Sequence, residues 1–91
     1  MSQPMLALRG DAVSWAPTDD GAIVVLDLRT SKYLSLNSSG SVLWQELARG
    51  VSADELVQAL IERFGVTTEV AEADVAEFLA TLRERDLLVE R

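Results

Sequence analysis

Residues 32–44 read Lys32-Tyr-Leu-Ser-Leu-Asn37-Ser-Ser-Gly-Ser-Val-Leu-Trp44, and the fold turns on them. Up to Leu36 the side chains alternate, with Leu34 and Leu36 on one face and Tyr33 and Ser35 on the other, as in a half-buried strand. After Asn37 the period lengthens. Leu43, Trp44, Leu47 and Ala48 recur at helical spacing, and Asn37 is placed to cap the new helix by accepting from its free amides. Strands end and helices begin at this junction.

Upstream, residues 12–36 read as β structure. Val13, Trp15 and Pro17 alternate with Ala12, Ser14 and Ala16. Asp19-Asp20-Gly21 is a turn signal. Ala22-Ile-Val-Val-Leu26 is apolar on both faces and β-branched, as a central strand should be. Asp27–Ser31 is a second turn. The simplest product is a three-stranded antiparallel meander with the Lys32–Leu36 strand at one edge and Pro17 at the other, where its missing N–H is harmless. Residues 1–11 show no strong period and are expected to be a flexible lead-in, with Met5, Leu6 and Leu8 near the body. Residues 12–91 form a single domain.

Downstream, the first helix is expected to run to about Arg49, with Gly50 past its end. Ser52-Ala-Asp-Glu55 is a capping box opening a second helix, which Gly65 ends. Its expected stripe is Leu56, Val57, Leu60, Ile61 and Phe64. Thr67 or Thr68 opens a third helix to about Arg85, with Ala71, Val75, Phe78, Leu79 and Leu82 on one side. Leu87-Leu88-Val89 is an apolar tail expected to pack back. The class is α+β: a three-stranded antiparallel sheet followed by three helices, in a winged helix-turn-helix-like order.

Composition excludes more than it suggests. The 91 residues carry fifteen acids against eight bases, a net charge of −7, with no cysteine and no histidine. Disulfides, thiolate or imidazole metal sites, and Ser–His or Cys–His catalysis are therefore ruled out. The charge opposes contact with phosphates and anionic membranes and favours a basic partner. The longest apolar run, Ala22–Leu26, is far short of the roughly 20 residues needed to span a bilayer, and the N-terminus makes a poor signal peptide. A cytoplasmic location is expected.

Carboxylates are the only plentiful reactive groups, and Glu62, Glu72, Glu77 and Glu84 read as solvated helix faces rather than a catalytic pair. No glycine pattern cradles phosphate. Gly40, early in the first helix, leaves room for that helix to approach the sheet. The third helix bears Glu69, Glu72, Asp74 and Glu77, with no base between Thr67 and Leu82. That surface is ill-suited to DNA even if the fold resembles a DNA reader.

The edge strand suggests more. Its unpaired backbone groups could accept an extended peptide as a fourth strand. The expected binding residues are Lys32, Tyr33, Leu34, Ser35 and Leu36 on the strand. Ala71, Val75, Phe78 and Leu82 would line pockets against the third helix. Glu69, Asp74 and Glu77 would attract lysines on the peptide.

An ordered set of segments resembles the PqqD-type family of precursor-peptide recognition elements: Tyr33-Leu-Ser-Leu-Asn37, Val42-Leu-Trp44, Ser52-Ala-Asp-Glu-Leu56, Asp74-Val-Ala-Glu-Phe-Leu79, then Leu82 and Leu87-Leu88. The resemblance spans roughly residues 12–89. It implies a non-catalytic domain without cofactors that binds the leader of a ribosomally made precursor and delivers it to a modifying enzyme. The length is similar to that of the stand-alone partner of the lasso-peptide leader peptidase, whose leaders anchor through a tyrosine and a proline. A chaperone serving a radical enzyme in pyrroloquinoline quinone synthesis is the close alternative. One departure is Asp86, where many relatives have glycine before Leu-Leu. Other readings remain open: a winged-helix DNA binder, an assembly subunit using the second sheet face with Tyr33 and Trp15, and a small carboxylate enzyme.

Overall fold

The computed structural model describes residues 4–90. In order these are β1 (Leu6–Leu8), a 3-10 turn at Gly10–Ala12, β2 (Val13–Pro17), β3 (Ile23–Asp27), β4 (Lys32–Leu36), α1 (Ser38–Arg49), α2 (Ala53–Phe64), α3 (Thr68–Glu84) and β5 (Leu88–Glu90). The sheet expected from alternation is present in the order β2-β3-β4, all antiparallel. Its register aligns Trp15, Val25 and Leu34 on one face and Ser14, Leu26 and Tyr33 on the other. The first set faces the helices: Val25 is buried, and Trp15 meets the buried Trp44 edge-on with ring centroids 6.2 Å apart.

The helix boundaries follow their caps. Asn37 accepts from the Gly40 amide, Ser52 and Glu55 form the reciprocal box, and Thr67 accepts from the Val70 amide. Leu43, Trp44 and Leu47 from α1 pack with Leu56 and Leu60 from α2 and with Ala71, Val75, Leu79 and Leu82 from α3. Two residues expected in these stripes lie outside: Ala48 is exposed, and Phe64 is 43% exposed. Both sit near helix ends, where the apolar arc turns past the neighbouring helix.

The segment expected to be a lead-in carries structure. Leu6–Leu8 pairs antiparallel with Leu88–Glu90 in a second, two-stranded sheet, and Leu6 also exchanges backbone hydrogen bonds with Val51. Leu6 is buried, while Met5 remains exposed. Three-residue strands are too short to show a period, so their pairing depends on contacts distant in sequence. Residues 1–3 of the expected lead-in, and Arg91 at the end of the domain, lie outside the described residues.

Asp86 occupies a glycine-like position. Its φ is 56°, in the left-handed region. The Leu87 amide donates to the Leu82 carbonyl at 2.9 Å and the Asp86 amide to that of Arg83 at 3.1 Å. These are the two bonds of a Schellman cap, and buried Leu82 and Leu87 supply its usual apolar contact. Aspartate is held there by its partners: Arg9 donates to one carboxylate oxygen and Arg29 to the other, each at 3.1 Å.

Two outcomes are expected in urea unfolding. Asp86→Val should lose roughly 1–2 kcal/mol relative to Asp86→Gly, because a branched side chain resists the left-handed region. Equal midpoints would show that the helix end does not require it. Asp27 gives a pH dependence. The Arg29 side chain, then its backbone amide, hold the nearly buried Asp27 carboxyl below its ordinary range. The stabilisation is therefore present above that range and lost as acid protonates the folded state, below about pH 4. Asp27→Asn should flatten the acid limb of a stability–pH curve.

Candidate peptide-binding groove

Strand β4 pairs with β3 along one edge only, and among the described residues no strand occupies the other. Alternate residues of an antiparallel edge strand direct both N–H and C=O outward. Five residues give an open ribbon of about 17 Å. Lys32, Tyr33 and Ser35 are exposed, Leu34 is half-buried and Leu36 is buried.

The ribbon faces a groove of about 300 Å³, closed on the far side by α3. Leu34, Ser35 and Leu36 form one wall, and Asp74, Glu77, Phe78 and Thr81 the other. Asn37, Ser39, Gly40 and Leu43 lie between them at the start of α1. Gly40 has a spatial reason: a Cβ there would stand 3.5 Å from the Leu36 Cβ and 3.2 Å from the Asn37 Oδ1 that caps the helix. A larger side chain would crowd both the cap and the groove. Asp74 and Glu77 are the charged side chains in the lining, so the local field favours a cation.

The α3 wall differs from the expected one. Ala71, Val75 and Leu82 are buried in the core and do not line the groove. The groove stripe is Asp74, Phe78 and Thr81, one residue behind the core stripe Val75, Leu79 and Leu82, a rotation of about 100° around the helix. Phe78 was expected in the groove and is there, half-buried, with one side against the core. Glu69 is exposed in the first turn of α3, outside the lining.

Sequence reasoning missed the groove's continuation. Past Asn37 it meets a second, more apolar hollow of about 350 Å³, lined by Leu60, Phe64 and Val66 and sharing Asn37, Ser39 and Asp74 with the first. The exposure of Phe64, at a helical position patterned for burial, is the sign of it. Among the described residues no side-chain cluster could hold a metal ion, and no helix is long and apolar enough to cross a membrane.

The comparisons bear on this groove. The family described as Coenzyme PQQ synthesis protein D (PqqD) matches residues 22–88. No curated protein matches the chain. Two solved structures are similar. TbiB1 in complex with the TbiA(beta) leader peptide has 35% identity and a TM-score of 0.78, over 86% of this chain and 90% of that one. A lasso peptide synthetase B1 complexed with the leader peptide has 32% identity and a TM-score of 0.78, over 92% and 96%.

The charge of the groove can be tested directly. With Asp74 and Glu77 both replaced by lysine, a lysine-bearing leader peptide should associate about tenfold more slowly at low salt, and the two proteins should converge as salt screens the field. Stopped-flow association rates over a salt series measure this. Rates equal at low salt would remove the steering role.

Proposed function

The chain belongs to the PqqD family, and from that premise we propose that it captures the leader segment of a ribosomally made precursor peptide and presents it to a processing enzyme. The peptide adds as a fourth strand beside Lys32–Leu36, antiparallel or parallel, with its alternate side chains entering the groove before α3. The backbone supplies register through hydrogen bonds that the edge strand lacks. The apolar surface of Phe78, Leu34 and Leu43 receives an anchoring side chain, and Asp74 and Glu77 favour lysines nearby.

The observation that carries this reading is the edge of β4, left open among the described residues, facing a groove that sets the apolar side chains Leu34, Leu43 and Phe78 beside the acids Asp74 and Glu77. Support comes also from the two similar proteins, both seen with leader peptides. The finer reading is a stand-alone partner of a leader peptidase in lasso-peptide synthesis, acting in the cytoplasm on a lysine-rich leader with tyrosine and proline anchors. The domain itself acts by binding, without a cofactor. A chain with neither cysteine nor histidine has few nucleophiles or general bases to offer. The Lys32–Leu36 residues, Asp74, Glu77 and Phe78 are its contacts. Glu69 acts at longer range, and Ala71, Val75 and Leu82 support the wall from behind.

Titration calorimetry with the TbiA(beta) leader peptide, and with the leader bound in the lasso peptide synthetase B1 complex, tests the proposal. Saturable binding between nanomolar and micromolar is expected, about −12 to −8 kcal/mol. Phe78→Ala should weaken it by at least about 1 kcal/mol while the protein stays folded. N-methylation of successive peptide amides should abolish binding at every second position, the mark of a ladder. A flat titration with both leaders would overturn the proposal.

A further inference from the structure

The two walls of the groove come from segments far apart in the chain, and among the described residues no backbone ladder joins them. The Arg29 side chain bridges the turn before one wall to the end of the other, where Arg9 also donates to the Asp86 carbonyl and carboxylate. Arg29 lies in the turn that leads into β4, and its guanidinium reaches the end of α3. It donates to the Asp86 carboxylate at 3.1 Å, to the Arg85 carbonyl at 3.0 Å and to the Asp86 carbonyl at 3.1 Å. Its near end is anchored by Asp27, which accepts from Nε and Nη2 at 3.3 Å and from the Arg29 amide at 2.9 Å. Asp27 is itself a nearly buried member of β3. The turn, the last residue of β3 and the end of α3 are thus held by one planar group.

The position of this contact relates it to the groove. Asp74 lies beside Asn37, past the end of β4, and the α3 terminus lies beside the turn before β4. The strand and the helix therefore run in opposite directions along the groove. Arg29 joins them at one end, while at the other the groove widens into the hollow beside Phe64. The Arg29–Asp86 pair is a poor candidate for bulk stability: its side chains are 38% and 69% exposed, and such pairs add little. What a rigid fork of donors does supply is a fixed distance and orientation.

We propose that Arg29 is a positioning residue that sets the spacing between β4 and α3 and so pre-forms the groove for an added strand. This rests on the peptide-capture reading for its consequence, but not for its geometry. A pre-set spacing removes an ordering cost that binding would otherwise carry. Lysine cannot replace the arginine, since an ammonium lacks the planar fork that reaches two carbonyls and a carboxylate together. Asp86→Gly removes the carboxylate arm and leaves the left-handed helix cap intact.

The test has two arms. In the first, the affinity of the TbiA(beta) leader peptide is measured for the unmodified chain, Arg29→Lys and Asp86→Gly. Arg29→Lys should bind about tenfold more weakly and Asp86→Gly about two- to threefold, with both variants still folded under the conditions of the titration. In the second, no peptide is present. The chain has no cysteine, so spin labels placed by Ser35→Cys and Ala80→Cys report the distance across the groove without interference. Arg29→Lys should broaden that distribution. Affinities unchanged by both substitutions, or an unchanged distance distribution, would overturn the inference. Should the unmodified chain bind no leader, peptide capture fails, and the distance arm alone decides whether Arg29 sets the spacing.

Discussion

A backbone paired along one edge must satisfy its other edge elsewhere, and this constraint organises the molecule around β4. Each inward residue of the strand is committed to β3, while each outward N–H and C=O is left to water or to a guest. A protein can blunt such an edge with a bulge, a proline or a covering element. Proline is used at the opposite edge, where Pro17 ends β2. On β4 only Lys32 guards the ribbon, at its start. The helix that could have covered the strand stands away from it and leaves a groove floored by the start of α1.

How α3 does this explains what was legible in the sequence. The apolar stripe Ala71, Val75, Phe78, Leu79 and Leu82 was legible from spacing, and so was the edge strand, but Ala71, Val75 and Leu82 were assigned to the groove and lie in the core. The side of the helix that meets the groove was not legible. Polar and apolar positions one residue apart differ in direction by only about 100°, and Phe78 belongs to both arcs. Periodicity identifies the face that is dry. It cannot identify which flank of that face turns towards an empty edge, because the flank is chosen by where the neighbouring helix stops. Asp74 and Glu77 were found through their charge, and Thr81 was not found at all.

The same limit applies to β1 and β5. Leu87-Leu88-Val89 was recognised as an apolar tail, yet nothing local shows that Leu6–Leu8 pairs with Leu88–Glu90. Asp86 shows a different kind of limit. It stands where many relatives have glycine, yet the cap keeps its usual bonds, and Arg9 and Arg29 hold the carboxylate. The backbone form survives the substitution, and the aspartate adds an acceptor that glycine could not offer. The helix end is thereby joined to the turn before β4. Reading that from sequence would require knowing that residues 29 and 86 are neighbours.

The order of strands and helices would also suit a reader of DNA, and the choice between ligands comes down to the sign of one surface. In that use the third helix must approach phosphates, and binding is driven by release of counterions from them. Here the exposed side of α3 is acidic from Glu69 to Glu77 and holds no cation before Arg83. A nucleic acid would meet repulsion along that length. A peptide would not, because it brings its own backbone partners to the β4 edge and can place lysines against Asp74 and Glu77. The groove is also too narrow in kind: it offers a single unpaired ribbon and one helix wall, which match an extended chain rather than a duplex. Fold alone left both ligands open, and the chemistry of the two walls favours the peptide.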